Sequence, residues 1–179
     1  MTHYCLDACS IINLFCGWGG IQELHSFGTS WSTTATALGE VLEVRVQRAD
    51  GSIVRQPIEH KTLFQQYPLI VHSELNQDEL ATATELSVEV DDGEAECLAV
   101  SLHRGLVFVS DDGLAIALAR AHGARAVSSL DLIGDWAQEE SSRAALLKEI
   151  LHRIEVLARY IPPRNHPRRA WWDGVRLGG

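Results

Sequence analysis

The run Leu106-Val107-Phe108-Val109 is apolar at every position. A strand of that kind is buried on both faces, as in parallel sheets. It lies between two stretches of helical pattern. Glu94–Arg104 carries Cys97, Leu98, Ala99, Val100 and Leu102 after the start signal Asp91-Asp92-Gly93, and Gly105 ends it. Leu114–Ala121 follows the turn Ser110-Asp111-Asp112-Gly113 and closes at Gly123. Ala124–Val127 then reads as a strand and Leu130–Trp136 opens a further helix. Helix–strand–helix–strand at this spacing predicts parallel βαβ units with right-handed crossovers.

The remaining chain extends the alternation. His3–Leu6 reads as a strand ending at Asp7, with a helix starting near Ser10. Gly17, Gly19 and Gly20, with Trp18 among them, form a break, and Ile21–Phe27 fits a short helix or a strand. Ser30–Thr34 is the next expected strand, and Ala35–Val44 a helix carrying Glu40. Alternating residues on either side of Asp50-Gly51 predict a β-hairpin inserted near 44–57. Tyr67–Val71 fits a strand or a helix end. Asn76–Leu86 reads as helix, with Leu80, Ala83 and Leu86 at helical spacing. Ser141–Tyr160 reads as one long amphipathic helix with Leu146, Leu147, Ile150, Leu151, Ile154, Leu157 and Ala158 on one face, stopped by Pro162-Pro163. The expected organisation is an α/β domain over 1–160 and a basic, Trp-containing tail over 161–179.

Composition agrees with a folded domain: 46 % of the 179 residues belong to the AVILMFWYC set and 22 % are charged. No signal-peptide pattern opens the chain, and no run reaches the roughly 18 apolar residues of a membrane span. The four cysteines, Cys5, Cys9, Cys16 and Cys97, form no C-x-x-C pair, so reduced thiols in a cytoplasm are expected rather than disulfides or zinc. The net charge of −9 requires any nucleic-acid contact to use local basic patches, a basic partner or bound cations.

Asp7 ends the first strand, Glu40 lies in a helical stretch, Glu94 opens a helix, and Asp111-Asp112 follow the strongest strand. A parallel sheet can bring such positions to the carboxyl edge of its strands, where ligands bind. Crowded carboxylates repel unless a cation neutralises them, and oxygen-only ligands select hard ions such as Mg²⁺ or Mn²⁺. Each acid also has a plain structural use. Asp7 can cap a helix, Glu94 is favoured by a helix dipole, and Glu40 can face solvent. Of Asp111 and Asp112 one is expected as ligand and the other as turn or cap acid, with Asp112 preferred. Glu96 lies roughly 200° around the helix from Glu94 and should face elsewhere.

Four segments carry a resemblance. Leu6-Asp7-Ala8-Cys9-Ser10-Ile11-Ile12-Asn13-Leu14 resembles the opening of PIN domains, and Thr36-Ala37-Leu38-Gly39-Glu40-Val41 their second motif. Gly93-Glu94-Ala95-Glu96-Cys97-Leu98-Ala99 is similar to the third, and Val109-Ser110-Asp111-Asp112 to the fourth. The resemblance spans roughly residues 3–135. It implies a three-layer α/β/α, Rossmann-like fold with a mostly parallel sheet. It also implies metal-dependent cleavage of RNA at Asp7, Glu40, Glu94 and Asp112, with Mg²⁺ or Mn²⁺ held by Asp7, Glu94 and Asp112. Many members are toxins paired with an antitoxin protein, and many are homodimers. This chain departs in having Cys9 where Ser or Thr is common, Glu94 where Asp is commoner, and the hairpin.

The competing expectation is a PIN-like partner-binding or regulatory module without catalysis. Other acid-site and nucleotide folds fit less well. The second acid of a D-x-D phosphatase is replaced by Cys9, and neither G-x-G-x-x-G nor G-x-S-x-G is present. In the tail, Arg164, Arg168 and Arg169 with Trp171 and Trp172 fit RNA contact or packing on the domain. Arg45, Arg48 and Arg55 of the hairpin fit RNA contact or a partner arm.

Overall fold

A computed structural model describes residues 2–18, 30–57, 69–139 and 143–178. Strand β1 (His3–Leu6) leads into helix α1 (Ala8–Trp18), and β2 (Ser30–Thr34) into the short α2 (Ala35–Glu40). β3 (Glu43–Gln47) and β4 (Ile53–Pro57) form the hairpin, followed by β5 (Leu69–His72), α3 (Gln77–Leu86) and α4 (Asp92–Arg104). Then come β6 (Val107–Val109), α5 (Gly113–Ala121), β7 (Arg125–Val127), α6 (Ser129–Glu139) and α7 (Ala144–Arg153). A π-helical turn (Ile154–Ala158) and α8 (Arg169–Leu177) complete the described elements.

The main sheet has the order β5-β2-β1-β6-β7, and every pairing in it is parallel. The chain winds outward from β1 in one direction through β2 and β5, then returns to β1's other side with β6 and β7. The order therefore reverses between β1 and β6. In open α/β sheets ligands bind at such a switch point, beyond the carboxyl ends of the strands.

Side chains alternate across a strand, and here the alternation builds two cores. Leu6 and Val109 point to one face with Ile11, Leu130, Ile133, Ile150 and Trp172; Cys5 and Phe108 point to the other with Ala83, Leu98 and Leu118. Helices thus cover both faces of the sheet, α1, α6, α7 and α8 on one and α3, α4 and α5 on the other. The hairpin is a separate two-stranded sheet, as an insertion should be.

Several boundaries differ from expectation. The helix after β2 stops at Glu40, and Val44 belongs to β3, where it is buried with Cys16 and Leu157. Gly17 does not break α1: it allows close approach, since a Cβ there would stand 3.0 Å from Ile150 Cγ2. Gly19, Gly20, the 21–27 segment, Tyr67 and Pro68 lie outside the described residues. The expected helix over 141–160 is described only from 143. It changes to π-helix at Ile154 and ends at Arg159, whose φ of 56° is left-handed, before the prolines are reached. Leu146 is 43 % exposed, whereas Leu147, Ile150, Leu151, Ile154 and Leu157 are buried. The segment expected as a tail forms α8 and buries Trp172. Among the described residues no helix is long and apolar enough to cross a membrane.

On α3 the buried face is Glu79, Ala83 and Leu86, and Leu80 is exposed. Glu79 can take a core position because Arg104 meets it with two bonds, Nε to Oε1 at 2.6 Å and Nη2 to Oε2 at 2.9 Å. It also closes a capping box with Asn76. The Arg104 bonds, with the Asn76 amide, hold the Glu79 carboxyl down at about 2 against burial. Removing one member of a buried pair strands the other's charge. Arg104→Leu is expected to cost about 3 kcal/mol in denaturant unfolding, and Glu79→Leu/Arg104→Leu to recover most of it. Because the folded value lies below the ordinary one, the pair's contribution is complete above about pH 4.5 and is lost as pH falls toward 2.

Candidate active site at the sheet switch point

The β1–β6 pairing continues one residue past the strands, where the Asp7 amide donates to the Val109 carbonyl at 3.0 Å. This puts Asp7 and the Ser110-Asp111-Asp112 turn side by side at the switch point. Thr33 Oγ1, at 2.7 Å, and Cys97 Sγ, at 3.3 Å, both donate to the Leu6 carbonyl, tying β1's end to β2 and α4.

Asp7 is 1 % exposed. Its Oδ1 accepts from the Ser10 amide at 2.7 Å, as a helix cap does, while its buried Oδ2 has no hydrogen-bond partner among the described residues. Burial first, and the Asp111 charge second, push its carboxyl up to about 7, against the opposing pull of Ser110 and Ser10. Asp111 is also raised, by burial, with Ser129 and Asn13 opposing. Its Oδ2 accepts from Asn13 Nδ2 at 2.8 Å and its Oδ1 from the Ser129 amide at 3.0 Å.

Glu94, buried in the first turn of α4, is pushed up to about 8 by desolvation and by Asp91, Asp7 and Asp112 in that order. Cys9 is exposed, yet desolvation and then the charges of Asp7, Glu94, Asp111 and Asp91 push its thiol up to about 12.

The two adjacent acids divide their work. Asp112 is exposed and caps α5, with Oδ1 accepting from the Leu114 amide at 2.7 Å and the Ala115 amide at 2.9 Å. It still lies within the field of Glu94, but the acid whose charge bears most on Asp7 is Asp111. The Glu40 carboxylate rests on Gly93, whose amide bonds it, and its pKa is raised by desolvation first and by the charge of Asp91, with smaller contributions from Asp92 and Glu96.

Two further side chains belong here that the sequence did not single out. Asn13 is buried and bonds Asp111. Its signal was available: Asp7, Ser10 and Asn13 recur every third residue, which stacks them on one helical face. Tyr160 carries no sequence signal. Its buried hydroxyl has no partner among the described residues, and the charges of Asp111, Asp131 and Asp7 add to burial in raising its pKa.

Among the described residues no three His, Cys, Asp or Glu side chains stand close enough together to hold a metal ion as they are. The donor chemistry nevertheless fits a hard cation. An unpartnered buried carboxylate oxygen and carboxyls forced toward neutrality are what a divalent ion relieves. Mg²⁺ keeps several waters and needs only one or two carboxylates from the protein. No protein-family profile matches the chain, and no curated protein matches it in sequence.

A carboxyl raised on folding destabilises the fold once it ionises. The native state keeps protons that the unfolded chain has lost, so stability falls as pH rises from about 4 through about 7 for Asp7. Asn at position 7 keeps the cap and removes the charge. Asp7→Asn is expected to gain on the order of 2 kcal/mol in denaturant unfolding at pH 8 and nearly nothing at pH 4.

Proposed function

We propose that the protein is a PIN-like, metal-dependent ribonuclease, working at the switch-point carboxylates. One observation carries this reading: Asp7, with an unpartnered buried oxygen, stands beside Asp111 and Glu94 where the strand order reverses. Structural acids are normally satisfied by donors, as Glu79 is by Arg104. Acids arranged to repel one another at a ligand-binding edge point to a cation.

Asp7 and Glu94, with Asp111 or Asp112, would hold Mg²⁺ or Mn²⁺. When bound, such an ion supplies a water of lowered pKa and neutralises the charge of a phosphodiester. The chain's own residues do the rest. Asn13 and the Ser129 amide hold Asp111 in place, and the Ser10 amide orients Asp7. The Tyr160 hydroxyl is free to donate to an oxygen entering the site. Glu40, packed on Gly93, positions the start of α4 and hence Glu94. The same reading makes the protein cytoplasmic, in keeping with its four free cysteines. An antitoxin partner and a homodimer come with the PIN-like reading as proposals.

The test is a Mn²⁺ titration by calorimetry with a parallel assay on single-stranded RNA. Wild type is expected to bind the ion and cleave; Asp7→Asn and Glu94→Gln are expected to lose binding and about 100-fold or more of the cleavage while staying folded. Cleavage retained in both variants, or folded wild type that neither binds Mn²⁺ nor cleaves, overturns the proposal; the latter result favours the partner-binding module.

A further inference from the structure

A cavity of about 290 Å³ lies at the other end of α1, between β3 of the hairpin, α7 and the π-helical turn. Phe15, Leu157, Arg45, Arg153, His152 and Glu149 are among the residues that line it. The chain as a whole is acidic, yet this cavity holds two arginines, and neither side chain has a hydrogen bond or ion pair among the described residues. Neighbouring arginines fare otherwise: Arg55 takes Glu43 at 2.7 Å, and Arg176 takes Glu155.

The surroundings make the unpaired arginines more conspicuous. Desolvation first, then the positive charges of Arg159 and Arg55, push the Arg45 guanidinium's pKa down, with Cys16 and Glu43 opposing. Arg45 and Arg153 line the cavity from two different elements, β3 and α7. Arg159 is the one non-glycine residue with left-handed backbone among the described residues, and it follows directly on the π-helical turn. Such strain and such turns gather at functional sites. His152 accepts from Arg176 at Nδ1, at 2.9 Å, which leaves its other ring nitrogen as a donor.

Two cations against the single carboxylate of Glu149 leave the lining net positive, which favours an anion, and a guanidinium fork suits phosphate geometry. A half-buried phenylalanine offers a face for a base. The volume sits at the small end of ligand sites, on the order of 300 Å³, which suits one nucleotide better than a folded partner. We propose that this cavity is a nucleotide-binding site separate from the carboxylates, with Arg45 and Arg153 on the phosphate and Phe15 against the base. The phosphate can come from a free nucleotide or from one unit of an RNA strand. The site does not depend on the ribonuclease reading.

The test is equilibrium binding to the full chain in EDTA, which removes divalent ions from the carboxylates. The probes are 5′-AMP, an eight-nucleotide single-stranded RNA and an octaglutamate peptide. Wild type is expected to bind AMP or the RNA, and Arg45→Gln/Arg153→Gln to weaken that binding at least 10-fold, with Arg125→Gln, on β7 away from both sites, unchanged. For the RNA the double variant should also lower the log–log salt slope by about 0.7, one phosphate's worth. Arg45→Lys/Arg153→Lys should keep that slope. RNA bound far more tightly than AMP identifies a strand as the source; equal binding identifies the free nucleotide. The proposal is overturned by folded wild type that binds neither nucleotide probe, by binding indifferent to the arginine changes, or by preference for the acidic peptide.

Discussion

The parallel pairing of β1 with β6 is the constraint on which the site depends. It joins two segments about a hundred residues apart in the chain and brings both of their carboxyl ends to the point where strand order reverses. Without it, Asp7 and Asp111 would have no reason to meet. With it, their meeting is forced, because the ladder bond from the Asp7 amide to Val109 extends the sheet right up to the acids.

The two sets of buried acids in this fold show opposite solutions to one problem. Taking a carboxylate out of water is costly unless donors or cations replace the water. Glu79 is met by a guanidinium fork and by the Asn76 amide, so its charge is kept and the network serves stability. Asp7 and Glu94 are given fewer donors and more like-charged neighbours, so their charges are resisted. Under the proposed reading a cation at this edge would relieve that penalty.

The C-terminal segment supports that edge from outside the sheet. Arg168 bonds Asp131 at 2.8 Å, and Asp131 in turn accepts from the Ser128 amide and hydroxyl at the start of α6. The next amide, that of Ser129, holds Asp111. Trp172 seats α8 in the core that also contains Leu6 and Val109. Three arginines of this segment are committed to intramolecular pairs, Arg168 with Asp131 and Asp135, Arg169 with Asp173, and Arg176 with Glu155. Among the described residues, the side chains of Arg45 and Arg153, on the hairpin side, have no such pair.

Much of the architecture was legible in the sequence because it is local. An apolar run between two helical periods can hardly be other than a buried strand, and Asp91, Gly105 and Gly123 punctuate as their backbone chemistry requires. The hairpin at Asp50-Gly51 and the strands ending at Leu6 and Thr34 follow from the same short-range rules. Position relative to distant residues was not legible. Leu80 and Leu146 have the polarity of core residues, but the neighbouring positions 79 and 147 face the core, the first because Arg104 is there to pair it. Asp111 and Asp112 are chemically identical neighbours, and only Asn13 and Ser129, brought from elsewhere, turn one inward while the other caps its own helix. Tyr160 reaches the carboxylates only because the chain turns back at Arg159. The sequence by itself determined the elements and which acids stand at their ends, since those rest on contacts a few residues apart. The tertiary structure alone decided which acids share a site, because that depends on what each carboxylate meets across the sheet.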